Sequence, residues 1–369
     1  MQARTRGVDI AWPNEPGVPG DTITVPILPV YVMLPTLAAV RLPDRTPLPL
    51  LSASITGELG NWAWSFSAPM SREGLSLIDD GTGAPTEVEI TVNGHVWTFL
   101  IDGYDDMRKF GSNTCQLRGR SRSAALAEPY AATRTYTEPA ARTAAQLAAA
   151  EVDGSGWTLV WDAVDWLVPG EVFSYADLAP IDAIAQLANS IGASVISDPA
   201  AREIRVAPTH AESPWAWPVA EPYAVIPAAV LTEGSSSWVG GVNANGIYVY
   251  GETSGSGALV KIAGTDGAAQ LPMVVDKLAV TADAQRERGR AALAANGIKR
   301  TMQRTLPLFP PPADSDDPAL GVVPLGALLE IQDTDETWRG QAMAVRIDAQ
   351  RAGRAMTVRQ HVTIERQYR

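Results

Sequence analysis

The sequence predicts an α+β fold that is mostly β, with two antiparallel β-barrel-like domains and α+β material inserted between them. Three observations lead there: an Asn-Gly hairpin flanked by alternating apolar residues, helical stripes that interrupt the β pattern in the middle of the chain, and a faint repetition near the end of what stands near the start.

Residues 1–47 are Pro-rich and predict an extended arm with short strands, lying along a neighbour. Between Asp21 and Arg41 the chain carries no charge and imitates a membrane span. Pro26, Pro29 and Pro35 fall inside that run, each removing a helical donor, and lipid would leave the freed carbonyls unsatisfied. No stable membrane insertion is expected.

Regular β pattern begins near Leu50, and residues 48–131 form the first barrel-like domain. From Asn61 to Phe66, a period of two puts Trp62, Trp64 and Phe66 on one strand face. The stretch VEITVNGHVWTFLIDGY, Val88 to Tyr104, centres on Asn93-Gly94, the pair favoured in a type I′ turn because both positions need positive φ. That turn sets Val92 against His95, Ile90 against Trp97 and Val88 against Phe99. A third strand runs from Asn113 to Arg118, with Cys115 and Leu117 on its apolar side.

Residues 132–228 predict an α+β domain, with 256–319 packing on it. Thr143 to Ala150 is Ala-rich and helical. Pro180 to Gly192 sets Ile181, Ile184, Leu187, Ala188 and Ile191 in one helical stripe, ended by Gly192. A hairpin follows, Ser194–Ile196 with Glu203–Val206, turning at Asp198-Pro199. Gly246 to Tyr250 reads as a strand after a Gly/Ser/Asn-rich loop. Ala282 to Ala295 reads as a helix capped by Thr281 and stopped by Asn296-Gly297, with Arg286, Arg288 and Arg290 on its polar face.

Residues 229–255 with 320–369 form the second barrel-like domain, after a Pro/Asp-rich loop from Pro307 to Gly326. The repetition lies here. In both barrel regions a strand and polar turn lead to a tryptophan (Trp97, Trp338), a second strand, a basic Gly turn (Lys109–Gly111, Arg351–Gly353) and a third strand.

Composition limits the function. With 369 residues, two or three domains are expected. Cys115 is the sole cysteine, so no disulfide can form within the chain, which suits folding in a reducing cytoplasm. The formal net charge of −12 disfavours a protein that wraps nucleic acid, yet suits a surface past which DNA slides without sticking.

Motifs for catalysis are missing, and no enzymatic activity is expected: no catalytic, cofactor-binding or metal residue is assigned. His95, His210 and His361 have no zinc-ligand spacing. Ser235–Ser237 lacks the second glycine of a nucleophile elbow, and Gly255-Ser256-Gly257 lacks the third glycine of a dinucleotide turn. Asp314, Asp316 and Asp317 lack the glycine and distal glutamate of a calcium loop. Trp215 and Trp217, spaced like Trp62 and Trp64, suggest core or interface packing, with a sugar-stacking platform as the alternative. Arg118, Arg120 and Arg122 are expected to blunt a strand or to pair with acidic groups across a subunit contact.

Ser52 to Tyr130 resembles the first barrel of bacteriophage baseplate hub proteins, the family that includes the late-control protein D group and siphophage tail tip hubs. The runs SASITGELGNWAWSFSAPM, VEITVNGHVWTFLIDGY and QLRGRSRSAALAEPYA carry the likeness. Ala141 to Leu147 and Pro180 to Val206 resemble that family's second domain, and PLGALLEI with TWRGQAMAV its closing barrel. The resemblance implies tail-tube-like barrels and a structural virion protein at the tail tip, assembled in the bacterial host cytoplasm. It implies a homotrimer that closes the tail tube, with a lumen for DNA in transit. Implied partners are the distal tail protein or tube hexamer, the tape measure protein, and a central fibre or spike. The alternatives are a carbohydrate- or receptor-binding tail protein and a cell-wall glycan hydrolase. Long C-terminal receptor-binding modules, common in siphophage hubs, have no counterpart before Arg369, and one cysteine excludes the cysteine-held iron–sulfur cluster of one family branch.

Overall fold

The computed structural model describes residues 22–27, 34–79, 85–109, 112–311, 320–352 and 355–368. It is a mostly β, α+β structure in which one 14-stranded sheet runs through both ends of the chain. Its pairing does not close either half into a barrel among the described residues. Most ladders are antiparallel. Among the described residues four are parallel: Ile23–Thr24 on Ala224–Pro227, Ala224–Pro227 on Leu328–Gln332, Thr158–Trp161 on Glu203–Pro208, and Gly246–Gly251 on Gln270–Asp276.

The Asn-Gly hairpin forms in the expected register: Val88 opposes Phe99, Ile90 opposes Trp97 and Val92 opposes His95. Asn93 and Gly94 have φ of 49° and 88°, as a type I′ turn requires. Asn93 does more than turn the chain. Its Oδ1 accepts from Thr36 N at 2.9 Å and its Nδ2 donates to Leu308 O at 2.8 Å, clamping the turn between two distant loops.

Within the first half the strand order is Leu37–Arg41, Glu87–Val92, His95–Lys109, Ser112–Ser121, Ser65–Ser71, Ala53–Glu58. Leu37–Arg41, read as arm, is thus an integral strand on the hairpin. Phe66 lies in a strand and is buried, but Trp62 and Trp64 precede it. Trp64 enters the core of the large sheet, whereas Trp62 packs towards the α+β core, so the expected single face is divided by the turn before Ser65.

In the second half the order is Ala224–Pro227, Leu328–Gln332, Thr337–Ala352, Ala355–Tyr368, Ile298–Pro307, Glu233–Val239. Three of these strands have no sequence-based expectation, and Ala224–Pro227, inside the region assigned to the α+β domain, pairs instead with Leu328–Gln332 of this half. Glu233–Val239 lies in the supposed Gly/Ser/Asn-rich loop. Ile298–Pro307 lies in the region assigned to pack on the α+β domain, but it pairs along Ala355–Tyr368.

The repetition is structural. Ile331 opposes Trp338 as Ile90 opposes Trp97. Each long strand then shifts its pairing by one residue at the same spacing after its tryptophan, between Ile101 and Gly103 and between Ala342 and Ala344. Phe66 and Met70 bury where Met302 and Leu306 bury on the corresponding strand. The first strand in each order differs, being antiparallel at Leu37–Arg41 and parallel at Ala224–Pro227.

The halves join directly. Thr337–Ala352 pairs Leu328–Gln332 only through Gln341, and from Ala344 to Ala349 the same edge takes Glu58–Ala53 of the first half. One apolar core spans both. The loop after Ile298–Pro307 seals it with Leu308, Leu320, Val322 and Val323, held by Gln360, whose Oε1 accepts from Val323 N at 3.1 Å and whose Nε2 donates to Gly321 O at 3.0 Å.

A second core contains helix α1 (Ala144–Glu151), helix α2 (Pro180–Ser190) and the strands Ala193–Ser197 and Glu203–Pro208. Thr143 caps α1 in a reciprocal box with Gln146, which sets its start. All five stripe residues of α2 are buried, and Gly192 follows with φ of 69°. A third, small core lies between helix α3 (Ala282–Ala294) and the sheet of Gly246–Gly251, Ser256–Lys261 and Gln270–Asp276. No described helix is long and apolar enough to cross a membrane.

Candidate assembly surface

The residues singled out for chemistry do not converge. His95 sits beside Phe309, its Nε2 2.8 Å from the carbonyl, and burial pushes its pKa down. His361 Nδ1 lies 2.8 Å from Thr305 Oγ1, and burial pushes its pKa down as well. Cys115 is buried under Met70, and burial pushes its thiol up. Asp314, Asp316 and Asp317 lie outside the described residues. Among the described residues, no group of three or more His, Cys, Asp and Glu is arranged to hold a metal.

His210 is buried beside Glu365, Nε2 to Oε1 at 4.0 Å, beyond hydrogen-bond reach. Burial alone would raise the Glu365 carboxyl. The proximity of His210, together with direct bonds from Lys299 Nζ at 2.7 Å and Gln367 Nε2 at 2.8 Å, outweighs it and holds the carboxyl down at about 2. This cluster fastens Ala355–Tyr368 to Ile298–Pro307.

Trp215 and Trp217 pack as expected and do not form the alternative sugar platform. Trp217 is buried, its indole donating to Glu212 O at 3.0 Å, and Trp215 packs on the small third core. Arg118, Arg120 and Arg122 find acidic partners within the chain, at Asp105, Asp102 and Glu87. On α3, Arg286 pairs with Asp283 and Arg290 with Glu287.

What the surface does offer is unfinished β structure. All seven residues of Glu233–Val239 are exposed, Trp238 at 64 %, and among the described residues the strand is paired on one edge, to Ile298–Pro307. An open groove of about 580 Å³ runs between this strand and the acidic turn Asp333–Glu336. Asp333 there accepts from Arg304 at 2.7 Å and from Trp338 Nε1 at 2.9 Å. Burial would raise its carboxyl, but these bonds hold it below the usual range. The guanidinium groups of Arg304 and Arg366 lie over the Trp338 ring at 5.6 and 5.3 Å. Further along the chain, Tyr248, Leu259, Met273 and Val275 are exposed on the three-stranded sheet that α3 backs.

Sequence reasoning missed Glu233–Val239 because a strand exposed on both faces has no reason to alternate apolar and polar residues. The only sequence signal is the pair Trp238-Val239 closing a run of serines.

This fold is shared with tail proteins of known structure. The tail protein of Neisseria meningitidis MC58 superposes with a TM-score of 0.63 at 14% identity, over 90% of this chain and 97% of that one. The 43 kDa tail protein of prophage MuSo2 from Shewanella oneidensis gives 0.60 at 12% identity, over 90% and 98%. The E. coli c3393 protein gives 0.51 at 9% identity, over 90% and 77%; it is a type VI secretion component similar in structure to the bacteriophage T4 tail proteins gp27 and gp5. No protein-family model and no curated protein matches the sequence.

Proposed function

We propose that this chain is the hub of a phage tail tip: a non-enzymatic virion protein that closes the tail tube as a homotrimer and joins it to a fibre or spike. The observation that carries the reading is the duplicated half-sheet. One chain holds two units of the same strand order, each with the same shift after its tryptophan. Three copies would present six similar units to a six-fold tube, which one unit per chain could not do with a trimer. We assign residues 48–131 and 229–255 with 320–369 to the two tail-tube-like barrels, completed by curvature and by neighbouring copies, with Leu37–Arg41 added to the first. Residues 132–228 and 256–319 supply the insertions, except that Ala224–Pro227 and Ile298–Pro307 belong to the second barrel and Gly246–Gly251 to the small sheet behind α3.

The acidic balance of the chain suits a lumen through which DNA passes without sticking. The distal tail protein or tube hexamer and the tape measure protein would meet one end of the ring, and the fibre or spike the other. Assembly would take place in the host cytoplasm. The test is light scattering with negative-stain imaging of the purified chain and of tails containing it. A three-fold ring with a central hole is expected; dimers or tetramers in both preparations would refute it.

A further inference from the structure

The join between the two halves within one chain specifies how one copy meets the next. Inside the chain, the strand Ala53–Glu58 ends the first half. Its outer edge is covered by the second half's long strand, where Ala349 opposes Ala53 and Ala344 opposes Glu58. That edge of the long strand is available because Leu328–Gln332 has already stopped pairing at Gln341.

Each partner in this join has a counterpart. Tracing the ladders across, Phe66 corresponds to Met302, so Ile55, opposite Phe66, corresponds to Ser236, opposite Met302. The strand Glu233–Val239 is therefore the second half's version of Ala53–Glu58. On the other side, Gly103 corresponds to Ala344, each being the first paired residue after the shift. There the hairpin strand Glu87–Val92 has stopped pairing at Leu100. Among the described strands, none continues along the edge that runs on from Gly103.

Burial agrees with the correspondence. Ala53, Ile55 and Gly57 are buried beneath the intramolecular join. Their counterparts Gly234, Ser236 and Trp238 are exposed. A strand whose equivalent is covered inside the same molecule stands uncovered by any described residue at the sheet's edge, and an uncovered edge strand is a template for pairing with another chain.

We infer that Glu233–Val239 of one copy adds antiparallel to the edge beginning at Gly103 of a second copy of this chain, repeating the intramolecular join between copies. Transfer of the register puts Val239 opposite Gly103, Trp238 opposite Tyr104 and Ser237 opposite Asp105. The contact is head-to-tail, since each copy gives a strand at one end and takes one at the other, and such contacts form a ring when the rotation between copies closes. The inference rests on the trimeric reading above for the number of copies, but not for the pairing itself.

Paired cysteines test it. Neighbouring pairs in an antiparallel ladder alternate between wide and narrow spacing, so two in-register variants are needed: Asp105→Cys with Ser237→Cys, and Tyr104→Cys with Trp238→Cys. Cys115 is buried and remains in place. On mild oxidation of the assembled chain, at least one in-register variant is expected to give a ladder ending at three copies in non-reducing sample buffer, abolished by added thiol. The four single variants give none. The slipped combination, Asp105→Cys with Trp238→Cys, points its side chains to opposite faces and gives less than a tenth of that yield. If scattering reports a trimer and neither in-register pair cross-links, the pairing is wrong and the hub reading stands. If the chain is monomeric alone and in tails, both fall.

Discussion

Trp97 tests whether the hairpin is a structural wall. Its ring is 1 % exposed, lies against Trp64 at 6.4 Å between centroids, and opposes Ile90 in the core shared by both halves. Truncation to alanine removes nearly the whole buried ring, for which about 3–5 kcal/mol is expected. The indole N–H, however, has no acceptor among the described residues, and an unmet buried donor costs about 1–3 kcal/mol. Trp97→Phe removes that donor while keeping most of the ring, so the two changes oppose, and a loss of about 1 kcal/mol or less is expected. Urea unfolding followed by far-UV circular dichroism measures both variants. The reasoning fails if alanine costs under about 1 kcal/mol, or if phenylalanine costs as much as alanine. A stable alanine variant that no longer bound host cells would make Trp97 a recognition residue.

Glu365→Gln reports on the buried cluster with His210 and Lys299. The folded carboxyl is held at about 2 against an ordinary 4.5, so its stabilisation is present above pH 4.5 and is lost as pH falls towards 2. The glutamine variant is expected to be less stable by about 3 kcal/mol at neutral pH, with the difference closing in acid; melting curves between pH 7 and about pH 2.5, spanning the titration, check it. Asn93→Gly keeps a turn that tolerates positive φ but loses the clamps to Thr36 and Leu308. It should cost about 1–3 kcal/mol in the same urea assay, and parent-like stability would show that the turn alone matters. A Cβ at Gly119 would lie 2.2 Å from Leu100 O and 2.4 Å from the Phe66 ring, so Gly119→Ala should destabilise by about 1–3 kcal/mol; a neutral result would mean the two strands separate there at little cost.

Local chemistry in the sequence determined the elements that depend on neighbours in the chain. Asn93-Gly94 fixed the hairpin register because few residues accept positive φ twice in succession. The stripe from Ile181 to Ile191 fixed α2, and Thr281 fixed the start of α3, because periodicity and caps act within a turn or two. The two tryptophans marked the duplication before any strand was placed, since Trp97 and Trp338 hold the same core position in each half. Tertiary structure decided the rest. Whether Trp62 joined Trp64 depended on which core lay beneath each ring, and a period of two cannot report where a strand begins. Ile298–Pro307 became a strand because Ala355–Tyr368, far along the chain, offered it an edge. Glu233–Val239 was invisible for the complementary reason: alternation records a face buried by the same chain, and this strand has both faces in water until something else covers them.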